Sequence, residues 1–331
     1  MTRVVRNFTK SKGMTILIVT AAIIVFFYIM NPAYLSFDNV RGIMYAMSLS
    51  GTITCGMACL MMSGAIDLAS GAEGMLAGVL VAFLLRTDIP WFPAVLMILG
   101  VGAVFGLVNA FFANILNFMP FIATIAMSSV YQGIAGVITT NQPIMITNKA
   151  FWELGSISLW VFPLPFIIMV VLLIIYGLLI ANTKFGRQML LCGGNRNAAR
   201  LAGISYKKIT TIMYINNGCI ASLGGIVLAA RMHSGSMQSV IGSEMDGMTA
   251  AIIGGVSFLG GGSSGMTVVF IGIMMLNCFK NGLYIIQLDP YWQVVSNGAL
   301  LVLALIVDFF REKRRLASLK APAREAPAKQ T

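Results

Sequence analysis

Six ionisable residues stand inside or at the edges of long apolar runs: Asp67, Glu73, Glu244, Asp246, Lys280 and Asp308. Charge held in an apolar phase is expensive, so each is a functional candidate. They form no array of acids of the kind a proton or sodium relay uses, which argues against ion-coupled chemistry. Asn277 and Asn281 stand one helical turn apart beside Lys280. Their amides both donate and accept, which suits a hydroxylated solute and equally suits a hydrogen bond between helices.

Other chemistry is missing. A single histidine, His233, leaves no His-rich metal site and argues against a catalytic triad around a Gly-x-Ser-x-Gly turn. The five cysteines, Cys55, Cys59, Cys192, Cys219 and Cys278, read as small apolar fillers. The glycine-rich piece CGGNRNAARLAG has no strand before it and no lysine after it, and no G-x-x-x-x-G-K-[ST] loop occurs in the chain. The protein is not expected to hydrolyse ATP by itself, and no cofactor is expected in this chain.

The elements that must position these residues are set by composition. The chain has 331 residues, 58% hydrophobic and 10% charged, with mean hydropathy +0.87. A soluble domain carries roughly 25% charged residues, so this is an integral membrane protein. Uncharged runs at 13–37, 42–66, 89–148, 154–183, 209–230, 247–279 and 290–307 predict an all-α polytopic fold of about ten transmembrane helices. They lie near 14–30, 43–62, 70–86, 92–115, 121–139, 160–181, 209–230, 246–261, 265–287 and 291–310. An even count puts both ends on one side. That side collects Arg3, Arg6, Lys10 and Lys12, the six basic residues of 182–208, and the basic tail, which is most of the 22 Lys and Arg. The asymmetry predicts N-in and C-in. Residues 1–13 then form a cytoplasmic segment, 14–310 the membrane domain with a cytoplasmic loop at 182–208, and 311–331 a basic, solvated tail. The first run lacks a small-x-small cleavage site, so it reads as a retained helix rather than a signal peptide. Small residues recur in GVGAVFGLVNA at 100–110 and GCIASLGGIVLA at 218–229, which predicts close helix packing.

Five stretches, in order, carry a family resemblance. SGAIDLASGAEGMLAG at 63–78 resembles the GGIDLSVGS signature of ribose- and xylose-type permeases of ABC importers. MPFIATIAMSSVYQGI at 119–134 is similar to their P-F-I-A-T-L segment, and TKFGRQMLLCGGNRNAARLAGI at 183–204 to their T-x-F-G-R … G-G-N … A-A-R-x-x-G-I loop. GSEMDGMTAAIIGGVSFLGGGSSG at 242–265 and KNGLYIIQLDPYWQVVSNGALLVLALIVD at 280–308 resemble the family's later segments. Ala65, the Ala69–Ser70 pair and Lys280 depart from its pattern. The resemblance implies an ABC importer permease fold in the bacterial inner membrane. It also implies a second permease copy or paralogue, an ATP-binding subunit that carries ATP and Mg, and a periplasmic or lipoprotein solute-binding protein. Substrates would be sugars or related polyols. A nucleic-acid partner is not expected. A non-transporting scaffold or receptor is the alternative, and an ion-coupled carrier the third reading.

Residue roles follow from both sources. In the 182–208 loop, Asn195 or Asn197 suits an N-cap, AARLA a short helix, Gly203 its left-handed stop and Ile204 the contact that accompanies it. Ala198, Leu201 and Ala202 make an apolar edge, Arg196 and Arg200 a basic one. With Arg187, these residues are the expected ATPase-coupling element, although the charges alone would also serve topology. GAIDLASGAEG and GGVSFLGGGSSG overlay at an offset of 191, with Gly64 on Gly255 and Met75 on Met266, a hint of duplicated halves. Asp67 and Glu73 are expected to cap helix starts at such a break or to meet solute. Phe121, Thr124, Asn277 and Asn281 join them as pathway or helix-break candidates. Glu244 and Asp246 are expected as first-turn acids of a helix or as contacts for a docking binding protein.

Overall fold

Unbroken apolar sequence in a bilayer has one economical backbone solution, because every peptide group must find its partner within the segment. The described residues take that solution over most of their length. The computed structural model describes residues 12–87, 89–240, 242–258 and 265–320. The expectations for 1–11, for 259–264 and for 321–331 lie outside the described residues.

The helices are α1 (Lys12–Met30), α2 (Phe37–Met62), α3 (Ser70–Leu84), α4 (Trp91–Ala110), α5 (Pro120–Thr139), α6 (Lys149–Ser156), α7 (Leu164–Asn182), α8 (Lys184–Gly194), α9 (Arg196–Leu201), α10 (Tyr206–Met232), α11 (Ser243–Ile253), α12 (Met266–Ile285) and α13 (Pro290–Lys320). A π turn, Phe111–Ile115, extends α4. A 3-10 turn, Pro32–Leu35, joins α1 to α2, and the described residues also form two small antiparallel pairs: β1 (Ile144–Met145) with β4 (Ser234–Gly235), and β2 (Ser158–Leu159) with β3 (Phe162–Pro163).

Eight helices among the described residues are long and apolar enough to cross a membrane. Two of the ten expected spans are shorter helices: α3 has 15 residues and α11 has 11. The helix expected at 246–261 therefore ends early, at Ile253, where Gly255 takes φ +84°. The helix expected at 43–62 starts earlier, because Ser36 caps it by accepting from the Asn39 N–H. The helix expected at 160–181 starts at Leu164, behind the β2–β3 hairpin. The loop expected at 182–208 holds two helices rather than one, with α8 capped by Thr183.

The core is organised around α10. It packs against α2, α3 and α4, and small residues set the spacing. A Cβ placed on Gly225 would lie 1.7 Å from the Gly74 carbonyl oxygen of α3. Backbone on backbone at this range admits only hydrogen, and the gain is close van der Waals contact along the whole crossing.

Candidate functional site

The break between α2 and α3 is where polar backbone leaves helical geometry inside the bundle. α2 stops because Gly64 turns left-handed, with φ +83°. Its N–H reaches the Met61 carbonyl at 2.9 Å, and Ala65 N–H the Leu60 carbonyl at 3.2 Å. The freed groups beyond must be satisfied by protein. The Gly64 carbonyl accepts from Tyr206 Oη at 2.8 Å and from Arg196 Nη2 at 3.1 Å. The Ile66 carbonyl accepts from Tyr214 Oη at 2.9 Å. Leu68 N–H donates to Thr124 Oγ1 at 3.0 Å, and Ala69 N–H to Asp67 Oδ1 at 2.9 Å.

A buried polar cluster follows. Asp67 and Glu73 are both fully inaccessible. Asn109 Nδ2 lies 3.2 and 3.1 Å from the two Asp67 carboxyl oxygens and 2.8 Å from Glu73 Oε1. Asn217 Nδ2 donates to Asp67 Oδ2 at 3.2 Å, and Tyr131 Oη donates to Asn109 Oδ1 at 3.2 Å. Among the described residues Glu73 Oε2 has no hydrogen-bond partner. The cluster ties α3, α4, α5 and α10 to the break.

The expected site residues divide accordingly. Asp67, Glu73 and Thr124 come together here. Asp67 does hold a backbone N–H at the start of α3, but Glu73 does not cap it: its carboxyl turns to Asn109 instead. Phe121 is exposed on α5, with its backbone carbonyl 3.5 Å from Thr124 Oγ1. Asn277 is spent on Ser50 Oγ and the Ile273 carbonyl, each at 2.8 Å. Asn281 exchanges two amide bonds with Asn39, at 2.9 and 3.0 Å. Both are interhelix ties rather than open solute contacts. Glu244 and Asp246 do occupy the first turn of α11. Asp246 pairs with Lys280 at 2.6 Å, which gives that unexpected lysine its partner. Glu244 is half-buried against Gly71.

The duplicated break is real at the backbone level. Gly64 and Gly255 share φ near +84°, and Gly255 N–H to Ile252 and Val256 N–H to Ala251 repeat the α2 pattern at the same offset. There Asp308 of α13 accepts from Phe258 N–H at 2.9 Å.

The α8–α9 segment lies directly on the first break. Gly193 passes so close that a Cβ on it would be 2.0 Å from the Met62 carbonyl oxygen. Asn195, not Asn197, caps α9 by accepting from the Ala198 N–H at 3.0 Å. At the other end, Ile204 N–H reaches Ala199 and Gly203 N–H reaches Arg200, with Gly203 at φ +73°. This closure satisfies two of the last free carbonyls. Arg187, Arg200 and Asn197 are exposed, and Leu201 is 86% exposed on a surface loop.

Asn109, Asn217, Tyr206, Tyr214 and Gly193 escaped the sequence reading. Each sits in a run whose small residues or charges gave a sufficient explanation. An amide buried in an apolar helix, as at Asn109, is the signal that pointed to a partner.

Comparison with known proteins decides the family. A family model described as "Branched-chain amino acid transport system / permease component" matches residues 39–305. The chain belongs to this permease family. The L-arabinose transport system permease protein AraH of Escherichia coli is 34% identical over 306 residues, 90% of this chain and 91% of that protein. The ribose import permease protein RbsC of Bacillus subtilis is 31% identical, covering 85% and 87%. A solved chain of a metal-chelate type ABC transporter in an inward-facing conformation aligns at TM-score 0.43 and 12% identity, over 94% of this chain and 100% of that one. With eight apolar spans, the protein is a multi-pass inner-membrane permease subunit of an importer, and its permease relatives are not enzymes.

Proposed function

We propose that this chain carries a sugar or related small polar solute, delivered by a solute-binding protein, and that ATP hydrolysis in a separate ABC subunit drives it. Similarity to arabinose and ribose permeases over nearly the whole chain carries the reading. A second permease copy or paralogue completes the path, both chain ends face the cytoplasm, and ATP with Mg stays in the partner.

The α8–α9 segment is the point of energy entry. Its exposed Leu201 and Arg200 present an apolar knob and a charge to a groove on the ATPase. Displacing α9 moves Arg196, and Arg196 holds the Gly64 carbonyl. The force therefore arrives at the break itself and, three residues on, at Asp67. Asp67, Glu73, Thr124 and Asn277 are closed off in this conformation, so access to solute requires the break to open.

Co-purification with the ATPase and uptake in proteoliposomes test this. Leu201→Asp with Arg200→Glu should abolish ATPase assembly and leave membrane insertion intact. Uptake driven by an ion gradient with no ATPase present would overturn the proposal.

A further inference from the structure

One groove has no role in this scheme. It lies between the π turn of α4 and the first turns of α10, encloses about 360 Å³, and is lined by Asn114, Ile115, Lys207, Lys208, Thr211 and Ile212. Its floor is fixed. Asn114 Nδ2 donates to Thr211 Oγ1 at 2.9 Å, while Asn114 Oδ1 accepts from Thr210 Oγ1 at 3.2 Å. Lys207 and Lys208 are exposed, and among the described residues neither has an acidic partner.

An apolar track runs into the groove. Val104, Leu107, Phe111 and Ile115 follow one another at helical spacing, and all are exposed. The stripe ends beside the two lysines. A continuous apolar track terminated by two unpaired cations complements one kind of molecule, an amphiphile with an anionic head. π turns within helices mark functional positions more often than ordinary turns do, and basic pockets between membrane helices suit acidic lipid headgroups.

We propose that this groove binds an anionic phospholipid, with its phosphate at Lys207 and Lys208 and an acyl chain along the α4 stripe. The inference does not depend on the transported solute or on the ATPase contact.

Native mass spectrometry of the full-length chain tests it, with phosphatidylglycerol and phosphatidylcholine titrated separately. Phosphatidylglycerol should bind in preference. Lys207→Gln with Lys208→Gln should weaken its first binding step about 30-fold and leave phosphatidylcholine unchanged. Both lysines are exposed, so the variant should fold, and an unchanged melting temperature checks this. Arg200→Gln serves as the matched control and should bind the lipid normally. Equal loss in that control would reveal only general attraction to basic surface and sink the proposal. So would competition by inorganic phosphate at equal potency, or undiminished lipid binding in the double variant.

Discussion

Arg196 Cζ sits over the ring of Tyr206, 4.1 Å from its centroid, and both side chains donate to the one carbonyl of Gly64. The stack holds the guanidinium in place, and among the described residues Arg196 has no carboxylate partner. It joins the most exposed segment of the loop to the point where α2 stops.

Tyr206→Phe keeps the ring and the stack, removes one donor to Gly64, and also removes the hydroxyl that accepts from Arg196 Nη2 at 2.7 Å. A hydrogen bond of this kind contributes about 1 kcal/mol. Uptake per ATP hydrolysed should fall about fivefold, with ATPase assembly unchanged. Parallel uptake and hydrolysis assays in proteoliposomes check the ratio. Unchanged stoichiometry would remove the tyrosine from the coupling route.

Asn109→Leu keeps the branched heavy-atom shape and strips the amide shared by Asp67 and Glu73. Glu73 Oε1 then loses its donor, Tyr131 Oη loses one acceptor, and Asp67 keeps only Ala69 N–H and Asn217 Nδ2, at a cost of about 3 kcal/mol. Asn217→Leu removes one bond to Asp67 and should cost about half as much. Melting in detergent should rank them in that order, and the reverse order would misplace the centre of the cluster.

Gly225→Ala would force α3 and α10 apart, because its Cβ meets backbone that cannot rotate away. Overpacking costs about 1–3 kcal/mol or more. Gly298→Ala in α13 meets nothing within 4 Å and should stabilise by up to about 1 kcal/mol through helix propensity. Opposite shifts in melting temperature are expected from the same chemical change.

Cys192 reports on the α8–α9 segment. Burial pushes its thiol up, and the Arg196 guanidinium pulls it only part of the way back. A raised thiol pKa leaves less thiolate at any given pH, so maleimide labelling should be slow even at about pH 8.5, where a free thiol is half ionised. Labelling should accelerate when the segment lifts from the break. A background lacking Cys219, which is partly accessible, isolates the signal.

The sequence revealed those features that backbone geometry demands locally. Gly64 and Gly255 were visible because only glycine takes φ near +84° cheaply, and the α9 closure because Gly203 and Ile204 follow its last turn. Long apolar runs announced the spans. The buried cluster was not legible. Asn109 and Asn217 are 42 and 150 residues from Asp67, and nothing in their neighbours says which helix they will face. α8 was missed since its glycines and charges obscured an apolar period, although Thr183 three residues before Gly186 is an ordinary capping pattern. Lys280 looked anomalous on its own helix because its partner Asp246 belongs to another.

The break is gripped twice from a single helix. Tyr206 and Tyr214 stand eight residues apart on α10, about 12 Å along its axis, and hold the carbonyls of Gly64 and Ile66. One peg would let the peptide swivel, whereas two pegs on a rigid rod fix both position and heading. Residues 64–66 can therefore travel only as passengers of α10. Any stroke that opens the path must either carry that rod along or first pull a peg.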